Sequence, residues 1–215
     1  MAQKRYFRAG CFYHVFNRSI AGFKIFSDFK NAERFLTALD YYNSTEIKSS
    51  LSAVLAKNNF KRGSLLKPKP AGLVKMIAYC IMPNHYHLFL KLLKDDALWK
   101  YLSDVENSST RFFNSKFNRK GPLWEGRFKY VLVRTNSQAL HLTRYIHLNP
   151  TSEGLVKKPE DWKFSSYNEY LKNPKILKEY LTELEIDSSE RYRKFVEDRI
   201  DYQAKLAKIK KIILE

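Results

Sequence analysis

Apolar positions along the chain follow two periods, and the two alternate. Residues 11–18, Cys-Phe-Tyr-His-Val-Phe-Asn-Arg, read as a first strand. A turn-rich connection with Gly22 follows, and Asp28 is placed to cap a helix. That helix carries Phe35, Leu36, Leu39 and Tyr42 at helical spacing and is expected to run toward Lys48 or slightly beyond. Residues 74–82 read as a second strand. The Pro83-Asn84 turn signal then sets off a hairpin partner that meets no breaker before Lys94-Asp95-Asp96. A second helix spans about Asp96 to Phe117, with Leu98, Leu102, Val105, Phe112 and Phe113 on its apolar side. The loop Gly121-Pro122-Leu123-Trp124-Glu125-Gly126-Arg127-Phe128 leads into a further strand over 128–134. The order strand, helix, strand, strand, helix, strand predicts an α+β, ferredoxin-like antiparallel sheet. Its helices pack on one face, which leaves the other free to hold a ligand.

A third helix, capped by Asn136 or Ser137, is expected to reach His147 or Leu148, with Pro150 as its stop. Beyond it the expected division is a main domain over 1–172 and a basic helical C-terminal extension over 173–215. Ile176-Leu177, Tyr180-Leu181 and Leu184 suggest a short helix in that extension. Ser188 or Ser189 can cap another, with Glu190 near its start, that runs toward the end. The extension could pack on the main domain, grip DNA or mediate self-association. Residues 57–73 form a basic loop containing Pro and Gly. A solvated linker and an arm that contacts phosphates both remain open for it.

Composition narrows the class of partner. In 215 residues, 39 Lys and Arg face 22 Asp and Glu, a net charge of +17 that points to a polyanion. Aromatic residues at 15% offer surfaces on which unpaired bases can stack. A membrane partner is not expected: no apolar run approaches the roughly 18 residues of a span, and Met1-Ala2-Gln3-Lys4-Arg5 lacks a signal-peptide core. Two cysteines, Cys11 and Cys80, make neither a disulfide framework nor a zinc cluster, and imply a reducing cytoplasm.

Side chains alternate faces along a strand, so His85 and His87 point the same way, about 7 Å apart. Two imidazoles so placed can converge on one cation; alone, the pair also suits a half-exposed strand face. His14 in the first strand is a third candidate ligand, or a satisfied histidine beside the sheet. On the third helix, Gln138, His141, Tyr145 and Asn149 share a sector of roughly 80° beside an apolar stripe of Ala139, Leu142 and Ile146. A Tyr hydroxyl is a weak nucleophile at neutral pH. A cation held by imidazoles and a polar oxygen could neutralise a phosphodiester and align it for attack by Tyr145.

Met82-Pro83-Asn84-His85-Tyr86-His87-Leu88, followed about sixty residues on by Arg144-Tyr145-Ile146-His147-Leu148-Asn149-Pro150, resembles the single-tyrosine HUH transposases. The branch it resembles more closely is the REP-associated tyrosine transposases, which Gly121-Pro122-Leu123-Trp124 and Trp162-Lys163-Phe164-Ser165-Ser166-Tyr167 also suggest. The likeness covers about residues 5–172. It implies a ferredoxin-like fold that binds single-stranded DNA, often beside a hairpin or palindromic element. It implies His85 and His87 as metal ligands, Asn149 as a polar third ligand and Tyr145 as the nucleophile of a covalent 5′-phosphotyrosine. The implied ion is Mg2+ or Mn2+; ligand softness alone favours manganese or zinc. Where the family tends toward Val-Arg-Ala-Gly after Asn149-Pro150, this chain has Thr151-Ser152-Glu153-Gly154. That puts a local phosphate contact in doubt.

The expected function is therefore a DNA transposase: a metal-dependent single-stranded DNA endonuclease and strand transferase, monomeric or homodimeric. The alternative is a non-catalytic single-stranded DNA or RNA binder on the same fold. Candidate nucleic-acid contacts are Arg119, Lys120, Trp124, Arg127, Lys129 and Arg144.

Overall fold

The structure, a computed structural model, describes residues 6–173 and 188–214. Four strands form one antiparallel sheet: β1 (Phe12–Arg18), β2 (Val74–Ile81), β3 (His85–Leu92) and β4 (Lys129–Val133), in the order β2-β3-β1-β4. This is the expected ferredoxin-like arrangement. The helices are α1 (Phe29–Tyr41), α2 (Leu51–Ala56), α3 (Ala97–Lys116), α4 (Asn136–Ser152), α5 (Tyr167–Lys172), α6 (Ser189–Glu197) and α7 (Ile200–Leu214).

Helices α1 and α3 pack on one another and on one sheet face. Alternation along β1 turns Tyr13, Val15 and Asn17 into that layer, where all three are buried. Phe35 of α1 lies 5.0 Å from Tyr86 of β3, and the Tyr101 hydroxyl of α3 donates to the Leu39 carbonyl. Glu106 of α3 reaches the underside of the sheet. Its Oε1 accepts from Asn17 Nδ2 and from the Tyr86 hydroxyl, each at 2.7 Å. One acid thus ties α3 to two neighbouring strands.

The opposite face is only partly open. α4 lies against β2 and β3 there, and the segment before α5 extends the β2 edge through Ile81 N–H to Phe164 O at 2.8 Å. β1 and β4 keep half-exposed side chains on this side.

Four element boundaries differ from expectation, each for a physical reason. α1 stops at Tyr41, well before Lys48. Buried Asn43 leaves the helix to accept from Leu73 and Val74 N–H and to donate to Val74 O, acting as an extra rung at the start of β2. Ser50 then caps the separate α2. α4 starts one residue before the expected caps, because Thr135 and Gln138 form a capping box. It also continues through Pro150 to Ser152. A proline in the last turn forfeits one helical N–H, and the chain turns out soon after at Gly154, whose φ is +71°. Finally, the helix capped by Ser188 breaks at Asp198 and Arg199 into α6 and α7. The helix expected near 176–184 lies outside the described residues.

The basic loop over 57–73 folds back on α1. Arg62 pairs with Glu33 at 3.2 Å and Lys69 with buried Asp40 at 2.6 Å, while Leu65 and Leu66 enter the core. The extension joins the same core: Tyr192 and Val196 of α6 are fully buried in it.

Burial pushes the Glu106 carboxyl up to about 7, against the pull of the Asn17 and Tyr86 hydrogen bonds. A carboxyl raised in the folded state stabilises below its unfolded pKa, and that contribution is lost as pH rises through about 7. Glu106→Gln keeps an acceptor for both donors and never ionises. We expect the variant to match the wild type near pH 4.5 and to exceed it by pH 8, by the order of 3 kcal/mol. Urea denaturation across that range checks this; a gap that does not widen with pH contradicts the burial argument.

Candidate active site

The sheet's second face gathers the histidines. β1 and β3 pair so that Phe16 faces His87, Arg18 faces His85 and His14 faces Phe89. His14 is thus diagonal to His87, with ring centroids 5.1 Å apart and nearly parallel. His85 and His87 lie 5.1 Å apart and perpendicular. Tyr145 of α4 stands edge-on over them, 5.4 Å from His87 and 6.2 Å from His14. His85, His87 and Tyr145 therefore meet within one chain.

Hydrogen bonds orient the rings. His85 Nδ1 lies 2.7 Å from Asn84 Oδ1, and the amide oxygen can only accept, so Nδ1 carries the proton. His87 Nδ1 and His14 Nε2 share a hydrogen at 3.0 Å. Neither His85 nor His87 has its Nε2 engaged by a described group. Each ring thus keeps its second nitrogen as an electron-pair donor, the usual outcome when an outer partner fixes the far nitrogen of a ligand histidine. The hairpin turn that carries them is pinned by Ser19 N–H to Asn84 O and Phe26 N–H to Pro83 O, both 2.8 Å.

Burial holds His14 and His85 down at about 4, and Arg18 adds to the effect at His85. His87 is pushed well below its ordinary value by burial first, then by His85 and His14. All three are neutral at pH 7, the form in which imidazole binds a cation. Burial raises the Tyr145 phenol, while a hydrogen bond with Asn149 pulls the other way. Tyr145 as a whole nonetheless keeps 36% of its surface exposed, so an incoming strand can reach it.

Asn149 sits one turn beyond Tyr145 and donates from Nδ2 to the Tyr145 carbonyl at 2.9 Å. Gln203 of α7 donates to the same carbonyl at 3.1 Å. With its nitrogen engaged, Asn149 has its Oδ1 to offer. Among the described residues no three His, Cys, Asp or Glu side chains are arranged to hold a metal. An ion here would draw on the two Nε2 atoms, the Asn149 amide oxygen and non-protein oxygens.

Other expected residues lie elsewhere. Gln138 belongs to the capping box. His141 bonds Arg144, whose guanidinium stacks 4.3 Å over Phe195 and faces α6. Arg144 thus fastens α6 to α4 while staying partly exposed. Trp124 lies on the inner side of its loop. Its indole is 8% exposed and packs on Phe26, Phe35 and Tyr86, because the loop needs an anchor in the core. Arg119 is tied to Asn114 and to the Gly121 and Pro122 carbonyls, shaping that loop. Lys120, Arg127 and Lys129 are exposed as expected. Arg18 was not anticipated. The period of two that unites His85 and His87 also puts His14, Phe16 and Arg18 on one face, so the signal was present.

Comparison with known proteins shows what the chain is similar to in sequence and fold. Residues 70–149 match the family described as Transposase IS200 like, a stretch that takes in both β3 histidines and Tyr145. A candidate REP-associated tyrosine transposase of Haemophilus influenzae is 29% identical over 108 residues, 45% of this chain and 60% of that protein. The REP-associated tyrosine transposase of Escherichia coli K12 is 27% identical over 108 residues, 50% of this chain and 62% of that protein. The match thus spans about three fifths of the length of these curated relatives. A solved structure of a REP-associated tyrosine transposase bound to a REP hairpin shares the fold. It covers 80% of this chain and 86% of its own, with a TM-score of 0.56 at 18% identity. The resemblance read from the two motifs holds: the chain is similar to the REP-associated tyrosine transposases in sequence and in fold.

The helix that bears Tyr145 is itself locked from behind. His147, fully buried, bonds the Tyr192 hydroxyl at 2.7 Å and Ser166 Oγ at 2.8 Å. Tyr192→Phe strands one nitrogen of that ring and should cost about 1–3 kcal/mol. Equilibrium denaturation measures this, and an unchanged midpoint would show that α6 does not brace α4.

Proposed function

We propose that the protein is a transposase acting on single-stranded DNA, as a metal-dependent endonuclease and strand transferase that passes through a 5′-phosphotyrosine. The observation that carries this reading is the meeting of Tyr145 with His87, ring to ring at 5.4 Å, beside His85 on one sheet face. His85 and His87, through Nε2, and Asn149, through Oδ1, would hold a Mg2+ or Mn2+ ion. When bound, the ion supplies Lewis-acid neutralisation and alignment of the scissile phosphodiester.

The chain's own groups have distinct tasks. Tyr145 Oη forms the new bond to phosphorus as it gives its proton to solvent, and the bond from phosphorus to the 3′ oxygen breaks. A free 3′-OH departs with the upstream strand. That hydroxyl, or one from another strand, later attacks the phosphotyrosine and regenerates Tyr145. Arg18, opposite His85, adds positive charge beside the phosphate. His14 holds the His87 ring through Nδ1 and so keeps Nε2 toward the ion. The exposed cations Lys120, Arg127 and Lys129 track the strand.

The partner is single-stranded DNA beside a hairpin, a reading supported by the neighbour solved with a REP hairpin. The site draws all its parts from one chain, which supports action as a monomer. We place the protein in the cytoplasm; no described helix is long and apolar enough to cross a membrane.

Incubation with hairpin-flanked single strands and Mg2+ or Mn2+ should yield a denaturation-resistant protein–DNA adduct. Tyr145→Phe should yield none, and an adduct in that variant rejects the nucleophile. His87→Ala should lose the adduct yet keep most salt-dependent binding, since that arises from phosphate neutralisation. His14→Ala should slow cleavage roughly 10- to 100-fold, with partial recovery at high manganese, as expected when a ligand's outer partner is removed. An unaffected rate would make His14 a bystander.

A further inference from the structure

Glu106 has no part in the cleavage chemistry. Tyr86, which bonds it, alternates with His85 and His87 along β3, so this acid faces away from the histidines. It lies instead at the edge of a pocket of 380 Å³ between α3 and the 122–128 loop. That size falls in the range of roughly 300–1,000 Å³ that accepts a small organic group.

The lining is specific in kind. Trp99 and Phe128 form an aromatic wall, with ring centroids 5.2 Å apart. Trp99 is 37% exposed, so a planar group can stack on it. The Arg127 guanidinium lies 5.1 Å over the same indole. Asn107, exposed on α3, adds an amide to the lining. On Glu106 both described donors fall on Oε1. Oε2 is left with two lone pairs for an occupant. Burial makes a charged carboxylate costly here, and N–H donors from a ligand would relieve that cost.

A flat ring, a neighbouring cation and an acid that, once ionised above about pH 7, only accepts together describe a nucleobase attached to a phosphate. The acceptor selects among bases. Guanine presents N1–H and N2–H side by side, two donors for one carboxylate oxygen. Adenine and cytosine each set a ring-nitrogen acceptor beside their amino donor, and thymine flanks its single N–H with two carbonyls. Each of those acceptors is repelled by the carboxylate. Guanine is the base that meets it with two adjacent donors and no acceptor between them.

We propose that this pocket binds one unstacked guanine of the DNA strand and reads its donor edge through Glu106. This rests on the single-stranded DNA partner proposed above, but not on the cleavage chemistry. Trp99 supplies the stacking surface, Arg127 the contact to the adjoining phosphate, and Asn107 a donor for the guanine carbonyl.

The test uses the full chain carrying Tyr145→Phe, which binds without turnover, and dodecamer single strands with one central guanine. Matched strands carry inosine, which lacks the N2 amino group, or adenine at that position. We expect the guanine strand to bind at least tenfold more tightly than either. Glu106→Gln turns an amide N–H2 toward the pocket, which repels the guanine donors and accepts the adenine ring nitrogen, and should erase that preference by weakening the guanine strand and tightening the adenine strand. Trp99→Ala should weaken the guanine strand roughly tenfold, the loss of one stacked base. Competition by dGMP at matching affinity would assign the pocket to the nucleotide alone, and no competition would assign it to the base within a strand; both support guanine recognition. Equal binding of guanine and inosine strands overturns it, as does a preference that survives Glu106→Gln. The wild-type adduct assay answers separately for the nuclease, so a failure of either reading is visible without the other.

Discussion

The register between β1 and β3 is the constraint on which the rest depends. Side chains alternate with a period of two, so a slip of one residue would exchange the two faces. If β3 slipped, His85 and His87 would enter the helical layer and Tyr86 would move to the site side; if β1 slipped, His14 and Asn17 would exchange faces instead. Two independent ties prevent it. On the helical side, Asn17 and Tyr86 share one oxygen of Glu106. At the strand ends, Ser19 N–H binds Asn84 O and anchors the hairpin turn to the start of the following loop. The polar contacts under the sheet thus set which residues lie on top of it.

The second half of the site is placed by α4. Its capping box fixes where the helix begins, and Pro150 does not cut it short, so Tyr145 and Asn149 stay one turn apart. His147 points the other way, into Tyr192, Ser166 and the rings of Tyr167 and Tyr170. One helix therefore carries a buried polar lock on one side and an exposed phenol on the other. Arg144 stacks on Phe195 and adds a second clasp between α4 and α6.

Much of this was legible in the residues. All four strands fell within a residue or two of their expected bounds, because alternation and turn signals act locally. The ends of α1 and α4 were not, and for opposite reasons. Asn43 leaves its helix for a bond to residues thirty positions on, which no local pattern announces. Pro150 is a helix breaker by type but sits where a helix tolerates it. Trp124 shows a further limit: an aromatic residue in a loop motif looks the same whether it faces solvent or the core. Glu106 was invisible as one acid on an amphipathic helix, since its meaning comes from Asn17 and Tyr86 on two other elements. Arg18 could have been found by carrying the two-residue period of β1 past His14.

The Tyr145 carbonyl receives two donors at once, one from its own helix and one from Gln203 near the far end of the chain. The last helix thus touches the peptide that bears the phenol. A partner that grips that helix would therefore bear on the backbone that holds a single aromatic ring over the histidines.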